Sequence, residues 1–175
     1  MIAGLCVRLA GPEDAEAIRG IYNEAVANTT ATMDTEPRTP QQQAAWMAAH
    51  APGGRFRALV AEGEEGGRVV GYASLSPFSP KPGYATTAEV SVYVHCDARG
   101  QGVGKQLLAA LLSEARLHGF AALYASISAD NEASLKLHAS HGFFTAGTLR
   151  RVARKFDIWV DVVLMQHLLE ERAAL

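Results

Sequence analysis

The 175-residue sequence predicts a single mixed α/β domain, and three observations carry that reading. Short alternating apolar runs interleave with stretches of helical period. One such run, Glu89-Val-Ser-Val-Tyr-Val-His95, leads through a glycine-rich turn into an amphipathic helix. No repeat, linker or low-complexity segment divides the chain, and its length suits one domain with a full core.

The elements follow in order. Val7-Arg8-Leu9 alternates like a short strand. Gly11-Pro12-Glu13-Asp14 opens a helix, with proline early and acids in the first turn, and Ile18, Ile21, Tyr22 and Ala25 mark its apolar face. Residues 28–38 are polar and Thr-rich, hence a loop. Thr39-Pro40 caps a second helix to about His50, ended by Pro52-Gly53-Gly54. Residues 56–61 and 68–75 flank a Gly/Glu turn at 62–67 and read as a hairpin. Residues 76–86 hold three prolines and form a loop of the length that carries function. The strand 88–95 and the helix 103–118 come next, then an apolar strand over 122–127. Asp130-Asn131-Glu132 caps a helix ending near His141-Gly142, and two strands close the fold at 143–150 and 156–168. The tail 170–175 reads as frayed. The order is β-α-α-β-β-β-α-β-α-β-β.

Composition narrows the function. A net charge of −2 gives no footprint for nucleic acid or an anionic membrane. No apolar run approaches the roughly 20 residues that span a bilayer, and the first residues lack the basic start and long apolar stretch of a signal peptide. Two cysteines, Cys6 and Cys96, make no disulfide framework. A cytoplasmic protein is expected. His95-Cys96-Asp97 is a poor metal cluster if all three lie on a strand, where neighbours point to opposite faces, so no metal is expected.

The chemistry concentrates at Arg99-Gly100-Gln101-Gly102-Val103-Gly104. Glycines let the backbone bend and expose N–H groups, the helix N-terminus adds partial positive charge, and Arg99 and Lys105 add full charge; a pyrophosphate would sit there. The turn is not a nucleotide-hydrolysing P-loop, because Gly104-Lys105 is followed by Gln106 and position 99 is Arg. Nor is it a dinucleotide fingerprint, because glycines at 100, 102 and 104 do not fit Gly-x-Gly-x-x-Gly.

The spacing Arg/Gln-x-x-Gly-x-Gly resembles the coenzyme A pyrophosphate loop of the GCN5-related N-acetyltransferases. Further residues resemble one branch of that family, the phosphinothricin and methionine-sulfoximine acetyltransferases. They are Tyr22-Asn23, residues 35–40, Gly71-Tyr72-Ala73, Ala88-Glu89, Val92-Tyr93-Val94, Asn131, Ser134, His138, Gly142-Phe143 and Trp159-x-Asp161, and the likeness spans roughly residues 5–168. The resemblance implies one GNAT-type domain over 1–175, of the α/β (α+β) class, with a mixed central sheet of about six to seven strands flanked by about four helices. It also implies acetyl-CoA as cosubstrate, a small-molecule amine as acceptor, and a homodimer.

Strand alternation puts Ala88, Val90, Val92 and Val94 on one face and Glu89, Ser91, Tyr93 and His95 on the other. A lone strand glutamate is usually a solvated side chain; the resemblance makes Glu89 the general base at the acceptor amine, which must lose a proton to attack a thioester. Backbone N–H groups of Val92, Tyr93 and Val94 would polarise the thioester carbonyl. Asn131, Ser134 and His138 share one helical stripe. Asn131 reads equally as an N-cap and as a partner for the pantetheine arm, and Ser134 lies beside it. His138 stands where many relatives carry a tyrosine acid, and would donate to or stabilise the departing thiolate. By position, Met33, Lys81, Tyr84 and Tyr93 match acceptor-side residues. Relatives often carry an arginine or lysine at 79–81; here Ser79 leaves Lys81 as the one cation. Lys155, Trp159 and Asp161 sit in the last hairpin, at the acceptor pocket or a dimer contact. Acetylation of another amine or a protein N-terminus is the runner-up, and a non-catalytic acyl-CoA sensor is the rival from another class.

Overall fold

A computed structural model describes residues 4–63 and 67–169. The tail 170–175, for which fraying is expected, the first three residues and residues 64–66 of the 62–67 turn lie outside it. Seven strands form one sheet: β1 (Cys6–Leu9), β2 (Ala58–Glu62), β3 (Val69–Pro77), β4 (Thr87–Val94), β5 (Ala122–Ser128), β6 (Phe144–Lys155) and β7 (Ile158–Leu168). Four α-helices accompany them: α1 (Ala15–Asn28), α2 (Pro40–Ala49), α3 (Val103–Leu117) and α4 (Glu132–Ala139). The expected order is the observed one.

The sheet order is β1-β2-β3-β4-β5-β7-β6, antiparallel throughout except for the β4–β5 pair. One face packs on α3: Leu107, Leu108 and Leu111 are fully buried against Ala73, Leu75, Ala88 and Leu123. Each such aliphatic side chain contributes roughly 1.5–3 kcal/mol of burial. The other face packs on α1 and α2 through Ile18, Val26, Val60 and Tyr72. The alternation of β4 thus divides its side chains between two cores, as its sequence requires.

The strand β4 feeds the site because its pairing with β5 is short. The two run together only over Thr87–Glu89 against Ala122–Tyr124. Beyond Glu89 they diverge, and a cleft opens through the sheet. The last hairpin is long: Phe156 and Asp157, both at positive φ, make its two-residue turn, and a bulge near Arg151 is held where the Arg151 N–H donates to Asp161 Oδ1 at 2.7 Å.

Candidate active site

Two connected cavities occupy the cleft. The larger, about 710 Å³, runs along the start of α3. The turn before α3 is shaped by glycines: Gly100 has φ +73° and Gly102, the N-cap, has φ +88°, a conformation L side chains rarely adopt. A Cβ on Gly104 would meet Leu137 Cδ2 at 3.1 Å, so this glycine also lets α3 approach α4. The first N–H groups of α3 therefore face an open groove bearing Arg99 and Lys105. Val92, Tyr93, Val94, Gly100, Gly102, Val103, Gly104, Asn131 and Ser134, all cofactor-side candidates from the sequence, also line it.

Gln101 is the exception: it lines neither cavity, and its Nε2 donates to Asp97 O at 2.8 Å. It braces the turn from outside. Arg99 donates to Val94 O at 3.1 Å and pairs with Glu24 at 2.6 Å, so its guanidinium is already anchored beside the groove.

The smaller cavity, about 240 Å³, lies in the cleft between β4 and β5. Glu89, Tyr93, Met33 and His138 all line it, with Ser126, Asn131 and Ser134. Glu89 is the last residue of β4 paired with β5, at the apex of the opening. Burial pushes its carboxyl above the usual range, and the Ser126 hydroxyl on the β5 wall of the same cavity offsets part of that rise. His138 is 3% exposed. Its Nδ1 lies 2.9 Å from Ser134 O, so the ring proton sits there. Nε2 is left buried with no partner, and burial holds the imidazole below its ordinary pKa. At neutral pH this ring offers a lone pair; the expected proton donor is an acceptor until it has first taken a proton. Asn131 is the N-cap of α4, its Oδ1 accepting from Ser134 N at 3.1 Å, and the residue also lines both cavities.

A strap over residues 29–38 roofs the cleft. Ala31 lines both cavities; Thr32 and Met33 line the smaller. Thr30 donates to the Asp130 carboxylate at 2.9 Å, and Lys155 Nζ donates to Thr32 O at 2.8 Å. Tyr22 donates to Asp34 at 2.5 Å, and Asn23 holds the Arg38 backbone through both its N–H and its C=O. The Tyr22-Asn23 pair and the 35–40 segment thus form one anchorage.

The remaining acceptor-side candidates fall elsewhere. Lys81 and Tyr84 are exposed and line neither cavity; Tyr84 packs instead on Phe78, 5.3 Å between ring centres, and Phe78 on Tyr124. The loop begins at the site, because Ser76 pairs with Glu89, but its prolines carry Lys81 outward. Lys155, Trp159 and Asp161 do not line the cavity either. Lys155 acts on the pocket wall through Thr32, a link of 123 residues in sequence that no local pattern could signal. His95, Cys96 and Asp97 depart from the strand expectation: β4 ends at Val94, and a short turn brings their ligand atoms within 4.8 Å of one another. Cys96 and Asp97 approach the His95 ring at Nδ1, and Arg68 Nη2 lies 3.0 Å from Nε2 on its other edge. Cys96 lines neither cavity.

Residues 18–143 match the Acetyltransferase (GNAT) family. The chain belongs to this family. It is 41% identical over 156 residues to a phosphinothricin N-acetyltransferase of Streptomyces coelicolor, covering 89% of this chain and 91% of that one. It is 42% identical over 160 residues to an L-methionine sulfoximine/L-methionine sulfone acetyltransferase of Pseudomonas paraeruginosa, covering 91% and 92%. The crystal structure of a GNAT superfamily phosphinothricin acetyltransferase from Sinorhizobium meliloti in complex with AcCoA superposes with a TM-score of 0.91 at 32% identity, covering 99% of this chain and 91% of that one.

Proposed function

We propose that this acetyltransferase moves the acetyl group of acetyl-CoA to the α-amino group of a small amino acid analogue of the phosphinothricin, methionine sulfoximine or methionine sulfone type. The observation that carries the reading is the pair of joined cavities: a glycine-turned, basic groove leads into a cleft of amino-acid size holding one half-buried carboxylate and one neutral imidazole.

The groove would take the pyrophosphate on the N–H groups before and at the start of α3, with Lys105 adding charge. The pantetheine arm would follow β4, whose edge toward β5 is free of ladder pairing beyond Glu89. Those free backbone groups would hold the arm and polarise the thioester carbonyl. Glu89 takes a proton from the acceptor amine as the nitrogen attacks. Burial makes the carboxylate a stronger base than an exposed one, which suits the removal of a proton from an amine. His138, with Nε2 unprotonated, is a second acceptor at the same cavity; the proton it returns to the departing sulfur is one it has first picked up. Cys96 has no nucleophilic part, and the attack is direct.

Two details bear on the acceptor. Lys81 leaves its carboxylate or acid group without a cation inside the cleft, so loop 76–86 has to fold inward for Lys81 to serve. The exposed apolar residues of the last hairpin, Leu149, Val152, Ile158 and Trp159 among them, support a homodimer. Initial-velocity kinetics test the mechanism. Direct attack in a ternary complex gives intersecting double-reciprocal lines; parallel lines would establish an acyl-enzyme and overturn it.

A further inference from the structure

The larger cavity has one wall that the reaction just described does not use, and it comes from the far end of the chain. Phe156 lines this cavity together with Thr30 and Ala31 of the strap and Asp130 and Asn131 before α4. It sits at the tip of the β6–β7 hairpin, and β6 is the edge strand of the sheet. Only the reach of that long hairpin brings the residue to the groove.

Nothing local asks for a phenylalanine here. Phe156 and Asp157 form the two-residue turn, with φ of +50° and +60°. Asparagine and glycine suit such turns, and a bulky side chain at positive φ is an outlier. The core gains little in return, because Phe156 is 52% exposed. The fold therefore keeps a strained backbone and a half-uncovered ring on the wall of a cavity. A strained position of this kind points to a use outside the fold itself.

The ring is also tethered. Lys155 is buried, and its Nζ lies 5.1 Å from the centre of the Phe156 ring. The same ammonium donates to Thr32 O at 2.8 Å. One cation thus ties the ring to the strap, and Thr32 lines the smaller cavity. Phe156 therefore stands toward the joint of the two cavities, where Ala31 and Asn131 line both. The basic end of the groove, with Arg99 and Lys105, belongs to the turn and start of α3.

We propose that Phe156 is a coenzyme-binding residue, its ring covering the pantetheine arm on the approach to the thioester. The proposal rests on the reading of the groove as the acetyl-CoA site. The arm is a chain of methylene and amide groups, which an aromatic face covers and shields from water. The pyrophosphate, held at the α3 end, lies beyond the ring. Contact with the arm gives the exposed ring its partner and the strained turn its use.

The test compares the parent chain with Phe156→Asn and Phe156→Tyr. Asparagine tolerates positive φ, so the first variant keeps the turn and loses only the ring. Calorimetry is expected to give roughly tenfold weaker acetyl-CoA binding in Phe156→Asn, the size of a partly buried aromatic contact. Competitive inhibition by ADP, which has a pyrophosphate but no arm, stays at the parent level. Phe156→Tyr keeps the ring and binds acetyl-CoA like the parent. Unchanged acetyl-CoA affinity in Phe156→Asn overturns the proposal. So does a loss that ADP shares in full, which would mean that the whole groove had moved. A change of mass in light scattering would assign the ring to a contact between subunits and overturn it as well. A parent chain that binds no acetyl-CoA overturns the reading of the groove and this proposal together, whereas tight binding by parent and Phe156→Asn alike removes this proposal alone.

Discussion

At the scale of the residue, the site turns on two groups whose ordinary ionisation is bent by burial. In the proposed mechanism Glu89 works as the carboxylate, and burial holds its pKa above the usual range, so kcat/KM is expected to fall as pH drops through that raised value. Glu89→Gln is expected to cut kcat by about 10²–10⁴-fold while acetyl-CoA affinity, measured by calorimetry, stays nearly constant. The sign for stability is opposite. A carboxyl whose folded pKa is raised contributes stability below its unfolded pKa and loses it as pH rises through the folded value. Glu89→Gln therefore unfolds at a slightly higher temperature than the parent chain at neutral pH, and a lower melting temperature would contradict the assigned environment. The strand period made Glu89 legible as a candidate in the sequence, and the family likeness gave it a role. The protonation pattern of His138 was not legible. It depends on one carbonyl, Ser134 O, a turn away on α4, which decides which nitrogen carries the proton.

At the scale of the element, the turn before α3 and the strap over the cleft do different work. Gly102 is at φ +88°, and a Cβ there meets no neighbour within 4 Å, so Gly102→Ala costs backbone strain alone. The expected result is a loss of about 1–2 kcal/mol in stability and weaker acetyl-CoA binding, with the acceptor KM unchanged. Thermal unfolding and calorimetry read the two halves. Lys155 is the converse case, since it holds the strap that walls the smaller cavity. It is 4% exposed, burial lowers its pKa, and its ammonium holds Thr32 O. Lys155→Met is expected to raise the acceptor KM several-fold while leaving acetyl-CoA affinity intact, because only the wall carrying Thr32 and Met33 is released. The glycine turn was readable from residues 99–104 because its signal is local. Lys81 misled for a related reason: position in the chain placed it near the site, but loop 76–86 turns outward after Ser76 pairs with Glu89. The strand before the turn at 95–97 was read one residue too long, to His95 rather than Val94.

At the scale of the molecule, one decision in the sheet creates the enzyme. Among the described residues the β4–β5 pair is the sole parallel pair, and it stops at Glu89. The strand count, the helix count and their order were visible in the sequence, because periodicity and turn residues are local. The divergence was not, because nothing in either strand alone reports where two strands part. No helix among the described residues is long and apolar enough to cross a membrane. The outer hairpin leaves Ile158 and Trp159 more than half exposed, at 53% and 55%. Light scattering after size exclusion is expected to give the mass of a dimer for the parent chain and of a monomer for Trp159→Glu. A monomeric parent would remove the dimer from the account without touching the cleft.

The central claim is acyl transfer from acetyl-CoA to a small amino acid analogue in the β4–β5 cleft. Thiol release dependent on acetyl-CoA, measured across phosphinothricin, methionine sulfoximine, methionine sulfone and the common amino acids, tests it most directly. Strong turnover on at least one of the first three is expected, abolished by Glu89→Gln. Silence on the whole panel, with acetyl-CoA still bound tightly, would contradict it and point to a protein N-terminus as acceptor or to an acyl-CoA sensor on the same scaffold.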